Sequence, residues 1–539
     1  MSTSIQLPAG DWSPRNLTLI FLLTLLAFFI MGYHPGLEDD AFYLAAIKRD
    51  LNPSLFPHDS AFFLIQFQAT IFDKLIALSV RLTHIPLAWM ALLWQFAAIF
   101  FILHSVWRIA RHCFAGPSAY WAATVLIAVL LTLPVTGTGI NLADQHLHPR
   151  SLATVLILAA IVEVIDRRLW VSAALLVFAF AIHAIMAAFG IVFCAFLTWS
   201  LKQSRQQTNA ASSGLPSQPS SVFPLCPLWC KLFSTTKSAA LFATVLFPLG
   251  WLFAPSSDAW RKAASTRSFY HLTNWAWYEW LGVFAPLVLI FILHRWLRRQ
   301  SSSVETRLVL IHFVSALLYY GVLMTAVGLL IMLPPSLERL RPFEPMRYLH
   351  LLYLLFFLLA GALLGEYLLR QKFYRWALLF VPLTAGMLYS QIHMYPSTAH
   401  IEWPGEAAKN PWLQAFAWIS RNTPVDALFA LDPHYTQLPG EDYHGFRALA
   451  ERSVLADLDK DAGMAARVPS LAPRWLREVT AEENWRNFTA DDFRRLQKQF
   501  GVTWIVLSRE DKLFADSHDQ AAIMTCPYEN QQVEVCRLY

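Results

Sequence analysis

From Leu17 onward, uninterrupted apolar runs alternate with short polar breaks. Runs of spanning or near-spanning length fall at 17–32, 86–106, 118–136, 151–165, 169–183, 184–200, 238–254, 280–296, 308–333, 349–369 and 375–393. A helix of about 20 apolar residues crosses the hydrocarbon of a bilayer, so each reads as a membrane helix. The first run follows Arg15 and continues into Met31-Gly32-Tyr33-His34-Pro35 without a small-residue cleavage site, which predicts a retained helix rather than a leader. The stretch 169–200 fits two short helices meeting near His183 and one long tilted helix about equally well. The pattern predicts a polytopic α-helical membrane protein with about eleven transmembrane helices.

Charge placement orients this array. With the N-terminus in the cytoplasm and eleven crossings, Arg108 and Arg111, Arg167 and Arg168, Lys202 and Arg205, Arg295, Arg298 and Arg299, and Arg370, Lys372 and Arg375 all fall on one side. Ten crossings break that series halfway. The expectation is a multi-pass protein of a bacterial-type inner membrane, with a transmembrane domain over 1–393 and its C-terminal part exported. The exported loops are then 33–85, 137–150, 255–279 and 334–348. The longest cytoplasmic loop, 202–237, is rich in Ser, Gln and Pro, the composition of a flexible connector. Within the first exported loop, 61–82 repeats apolar residues at helical spacing but carries Gln66, Gln68, Asp73, Lys74 and Arg81, which predicts an interfacial helix.

After residue 394 hydropathy falls, and 394–539 reads as a small soluble α/β domain. Asn410-Pro411 predicts the start of a helix through about Arg421. Ala427–Leu431, Val502–Leu507 and Val533–Leu538 have strand character, and Thr489 caps a helix that Gly501 ends. Overall, 56% of the 539 residues are hydrophobic and 15% charged, with a mean hydropathy of +0.41, so lipid must solvate much of the chain. A net charge of +5 is too small to suggest a nucleic-acid partner. The sequence contains no P-loop, no dinucleotide-binding glycine fingerprint and no internal repeat. Of six cysteines, Cys113, Cys194, Cys226 and Cys230 fall in or beside the membrane or on the cytoplasmic side. Cys226 and Cys230 form a lone C-x-x-x-C without a nearby His. Cys526 and Cys536 alone lie in the exported tail, where an oxidising compartment lets them pair.

Candidate chemistry begins at Glu38, Asp39 and Asp40, just beyond the first helix. Three adjacent carboxylates repel one another; they make either a solvated loop end or a site that uses one of them as a base or cation ligand. Four arginines in the exported loops, Arg150, Arg339, Arg341 and Arg347, run against the charge trend. They bind an anionic lipid phosphate or pair with Glu338 and Glu344 or with phospholipid headgroups. His146 and His148 beside Asp144, near His34, His58 and Asp59, are polar anchors, substrate contacts or weak candidates for a divalent metal. Trp275 and Trp277, in a cluster with Tyr270, His271, Tyr278 and Trp280, form an aromatic belt or stack on a sugar. Glu163 and Asp166 should pair with Arg167 or Arg168.

The acidic pair Asp39-Asp40 followed by Tyr43, a long first loop with an interfacial helix, about eleven spans and an exported C-terminal domain together resemble the GT-C superfamily. Its members are membrane glycosyltransferases that use polyprenyl-phosphate-linked sugars. The resemblance implies that Asp39 or Asp40 acts as general base on an acceptor hydroxyl, or orients it, while arginines hold the departing lipid phosphate. Tyr43 would touch the substrate. Two other classes stay open on sequence: a transporter or flippase of lipid-linked or polar substrates, and a non-catalytic assembly protein of the envelope.

Overall fold

A computed structural model describes residues 12–67, 70–213, 256–300, 305–514 and 523–539. The predicted crossing at 238–254, most of the connector 202–237, Gln68, Cys226 and Cys230 lie outside the described residues.

Helix α1 (Pro14–Met31) leads into a loop carrying α2 (Asp40–Leu51), α3 (Ala61–Phe67) and α4 (Phe72–Thr83). The single interfacial helix predicted over 61–82 is thus two short ones. Phe72 starts α4 afresh, with Ile71 donating its backbone N–H to the carbonyl of Ala181. Five helices follow, α5 (Leu87–Cys113), α6 (Pro117–Leu130), α7 (Pro149–Ile165), α8 (Leu169–Ile182) and α9 (Ala184–Ser213). The chain breaks at His183, so 169–200 is a helix pair rather than one tilted helix. After residue 256 come the short α10 (Asp258–Ser265) and the long α11 (Trp277–Arg299), α12 (Glu305–Met332), α13 (Tyr348–Leu363) and α14 (Phe373–Met394).

Among the described residues, seven helical segments are long and apolar enough to cross a membrane, and α6 and α8 are shorter apolar helices. At one end of the array Arg108 meets Asp166 at 2.9 Å and Arg168 meets Glu163 at 3.5 Å. Asp166 therefore pairs with the neighbouring helix and not with Arg167 or Arg168.

A close helix contact in the array is set by Gly361 and Gly365, spaced four apart on α13 and the π-helical turn that continues it (Leu364–Leu369). A Cβ at Gly365 would sit 2.1 Å from the Ser118 carbonyl oxygen, and one at Gly361 2.8 Å from the Cα of Ala123. Small residues four apart let two backbones approach in lipid, where hydrophobic exclusion cannot drive association.

The C-terminal segment contains α15 (Pro411–Asn422), α16 (Phe446–Ala450), α17 (Lys460–Arg467), α18 (Ala472–Ala481) and α19 (Ala490–Phe500). Asn410 Oδ1 caps α15 by accepting the N–H groups of Trp412 and Leu413. Thr489 and Asp492 form a capping box on α19, which Gly501 ends at a positive φ of 79°. After the two-stranded hairpin of β1 (Pro134–Val135) and β2 (Ile140–Asn141), five strands make one sheet: β3 (Leu428–Ala430), β4 (Ser453–Val454), β5 (Trp504–Ser508), β6 (Met524–Glu529) and β7 (Val533–Leu538). Their spatial order is β4-β3-β5-β7-β6, parallel in the first three and antiparallel beyond. Cys526 and Cys536 are disulfide-bonded across β6 and β7.

This segment does not stand apart from the membrane loops. Tyr33 bridges Ile401, Leu37 bridges His444, and Lys48 reaches Glu451 at 2.7 Å. Arg447 lies between Asp59 and Asp461, all three at or below 5% exposure, bonding the first through Nε and the second through Nη1 and Nη2 at 2.9 and 2.8 Å. The first loop and the C-terminal segment therefore form one packed layer over the helix ends.

Candidate active site

A cavity of about 270 Å³ opens where that layer meets the loops following α1, α6 and α12. The geometry of α2 decides which carboxylate faces it. Asp40 is buried, and its Oδ2 accepts the N–H of Gly36 at 2.7 Å, closing the turn that Gly36 enters at a positive φ of 82°. Asp39 occupies the N-cap position of α2 but makes no cap bond. Its side chain, 39% exposed, turns into the cavity, where Oδ1 lies 3.4 Å from Lys460 Nζ and Oδ2 lies 3.8 Å from His148 Nε2. Asp40 does not line the cavity, so of the adjacent pair only Asp39 faces it.

The neighbours of Asp39 fix its charge. Burial at the cavity floor pushes its carboxyl up, but Lys460, then His148 and Arg347, outweigh this and hold it well below the usual range. His148 is itself the N-cap of α7, and its Nδ1 accepts the N–H of Arg150 at 2.9 Å. The ring proton is thereby assigned to Nε2, facing Asp39. Burial and the nearby Arg150 lower the pKa of His148 to about 4, so it is a neutral donor at physiological pH.

Cations from separate parts of the chain complete the walls. Arg150, on α7, binds both oxygens of Asp144 through Nη2 at 2.6 and 2.7 Å, while its Nε and Nη1 find no protein partner. Arg347 pairs with Glu344 at 2.6 Å, and Arg467 reaches the other oxygen of Glu344 at 3.2 Å. Arg267 donates to the carbonyl of Asp459, and Lys460 also pairs with Glu38. Arg150, Arg267, Arg347, Lys460 and Arg467 thus face four carboxylates, those of Glu38, Asp39, Asp144 and Glu344, an excess that suits an anionic ligand. Tyr43 packs edge-on against His148 at 4.8 Å, and His146 lines the cavity with both ring nitrogens unpartnered.

Several predicted residues lie elsewhere. Arg339 contacts Ser256 Oγ at 3.4 Å and Arg341 contacts His271 Nδ1 at 3.2 Å, and neither lines the cavity. Trp277 is exposed, and Trp275 is buried beneath Gly137, whose absent Cβ leaves room for the indole. Trp275 therefore braces the β1–β2 hairpin, and the aromatic residues that line the cavity are instead Phe42, Tyr43, Phe269, Tyr270 and Tyr395. Among the described residues, Asp144, His146 and His148 do not converge as metal ligands, since Arg150 takes both Asp144 oxygens and His148 Nδ1. His34 pairs with Glu402 at 2.9 Å, His58 Nε2 with the carbonyl of Asp426 at 3.0 Å, and Asp59 with Arg447. The one group compact enough to hold an ion among the described residues is Cys526, Glu534 and Cys536, whose two thiols are joined.

Lys460, Arg467 and Arg267 were not anticipated from the sequence. Helix α17 reaches the cavity because its middle, Ala462-Gly463-Met464-Ala465-Ala466, is small enough to wedge against α10. There Trp260 Nε1 donates to the Ala466 carbonyl at 2.8 Å, and a Cβ on Gly463 would lie 2.9 Å from Arg267 Nη2. A run of small residues with cations at both ends was the available signal.

No family model matches the chain, and no curated protein matches it. Among solved structures it is similar to the Archaeoglobus fulgidus oligosaccharyltransferase in its apo form, with 11% identity, a TM-score of 0.45, and coverage of 93% of this chain and 70% of that one. It is likewise similar to the oligosaccharyltransferase AglB of the same organism in complex with an inhibitory peptide and a dolichol-phosphate, with 12% identity, a TM-score of 0.46, and coverage of 92% and 69%. A third is ArnT from Cupriavidus metallidurans bound to undecaprenyl phosphate, with 14% identity, a TM-score of 0.35, and coverage of 97% and 98%.

Proposed function

We propose that this chain is a membrane glycosyltransferase of the GT-C type, transferring a sugar from a polyprenyl-phosphate donor to an acceptor hydroxyl in the cavity beside Asp39. One observation carries the reading: a carboxylate with no cap to serve, Asp39, shares a cavity with arginines drawn from α7, the 334–347 loop and α17.

In the reaction the acceptor oxygen attacks the anomeric carbon as the bond from that carbon to the phosphate oxygen breaks. The electron pair leaves with the phosphate, and the hydroxyl proton must be taken up. Asp39 accepts the hydrogen bond of that hydroxyl and takes its proton late, because a carboxylate held so acidic is a weak base but a good orienting acceptor. His148 and Lys460 keep it ionised. Arg347, Arg467 and the spare donors of Arg150 receive the charge that grows on the leaving phosphate, in a site prearranged by the Glu344 and Asp144 pairs. Export of the site and of the C-terminal segment belongs to the same proposal, as does the N-terminus in the cytoplasm of a bacterial-type inner membrane.

The test is sugar transfer from polyprenyl-phosphate donors by purified protein. Asp39→Asn should lower turnover by roughly 10²–10⁴-fold with insertion unchanged. Arg347→Ala and Arg467→Ala, which remove both the capture of the donor phosphate and the stabilisation of the charge that grows on it, should raise the apparent KM for the donor and lower turnover. Full transfer by Asp39→Asn would remove the proposal.

A further inference from the structure

A second cavity, of about 560 Å³, lies on the far side of α18, between that helix, the 432–434 turn, the 482–487 loop and α10. Glu482 lines it from the C-cap of α18. The residue is 1% exposed, and neither carboxylate oxygen has a hydrogen-bond partner. Each part of its surroundings disfavours a negative charge. Glu482 sits at the negative end of the helix dipole, it is desolvated, and Glu478, Asp432 and Asp457 are near enough to push its carboxyl further above the usual range. Its acidic neighbours are provided for: Glu478 pairs with Arg474 at 2.6 Å, and Asp432 accepts the N–H of His434 at 2.8 Å. The two cations on the cavity wall do not serve Glu482. Arg486 pairs with Glu510 at 2.9 Å, and Lys262 forms no ion pair with it. These surroundings favour the neutral carboxyl while the cavity is empty, yet both its oxygens still lack hydrogen-bond partners, and an ammonium group would supply the donors and the counter-charge together.

We infer that this cavity binds a small organic molecule bearing a primary ammonium group, with the ammonium on Glu482 and its body against Leu458, Leu476 and Val479. The volume is that of a small-molecule site. A bare metal ion is the poorer fit, because Glu482 and its acidic neighbours do not bring three ligand atoms together. The inference is independent of the reaction at Asp39, from which it is separated by α17 and α18.

The experiment uses the full-length protein in detergent and a matched pair of probes, cyclohexylamine and cyclohexanol, followed by calorimetry and thermal shift, with calcium as a third ligand. Cyclohexylammonium should bind and raise the unfolding temperature, and cyclohexanol should not. Glu482→Gln should weaken the amine by about tenfold or more while the protein remains folded, and Asp39→Asn should leave its affinity unchanged. Thr480→Trp, which fills the cavity mouth from the exposed side of α18, should abolish binding and serves if Glu482→Gln does not fold. The proposal is overturned by equal binding of amine and alcohol, by binding unaffected in Glu482→Gln or Thr480→Trp, by binding lost in Asp39→Asn, by calcium alone binding, or by no binding at all.

Discussion

At the residue scale, Asp39 and Asp40 are neighbours that the start of α2 turns apart, Asp39 into the cavity and Asp40 onto the Gly36 N–H. Asn in place of Asp40 can still accept the Gly36 N–H, so Asp40→Asn should keep most transfer activity, whereas Asp40→Ala loses the turn bond and should cost about 1–2 kcal/mol of stability. Thermal unfolding and transfer assays of both variants check this. Lys460 makes a different prediction. It is the strongest influence lowering the pKa of Asp39, so Lys460→Met should raise that pKa. In the proposed reaction Asp39 works as the anion. The wild-type rate should therefore persist to low pH, and the variant should lose activity on acidification at a higher pH. A pH–rate profile with coincident acidic limbs would refute the pairing. The sequence made Asp39, Tyr43, His146, Arg150 and Arg347 legible because they flank predicted helix ends in loops of unusual charge. It could not distinguish Arg347 from Arg339 and Arg341, which share one short loop and differ only in the direction its 3-10 turns give them. Lys460 is 421 positions from Asp39, a distance no local pattern crosses.

At the element scale, hydropathy alone located the seven long apolar helices among the described residues, since a helix that crosses a membrane bonds its own backbone internally and must show a long apolar run. The break at His183 was left open because two short apolar helices and one long one have the same composition. The split of 61–82 into α3 and α4 was missed for a tertiary reason, the hold of the Ala181 carbonyl on Ile71. Gly361 and Gly365 carry a prediction here. Gly365→Val would drive methyl groups into the Ser118 carbonyl, and backbone rather than a flexible side chain would have to yield. Overpacking of this kind should cost roughly 1–3 kcal/mol, seen as a lowered unfolding temperature in detergent. Gly386, with open space around it, is the control: Gly386→Ala should be neutral or slightly stabilising.

At the scale of the whole molecule, composition marked 394 as the end of the apolar array but could not show that the segment beyond it closes the cavity. The Asp59–Arg447–Asp461 cluster joins the two parts. Arg447→Met leaves two buried carboxylates without their cation, which should cost about 3–5 kcal/mol and loosen α17, so that transfer falls together with thermal stability. A reporter that fluoresces only in the cytoplasm, fused after Tyr539, should stay dark; bright fluorescence would reverse the orientation of the site. The central claim is that lipid phosphate enters the Asp39 cavity and is held there by arginines from distant parts of the chain. An experimental structure of the protein with undecaprenyl phosphate tests it most directly. The account predicts the phosphate within hydrogen-bonding reach of Arg347 and Arg467 with Asp39 across the cavity, and a phosphate seated away from these arginines, with the cavity empty, would contradict it.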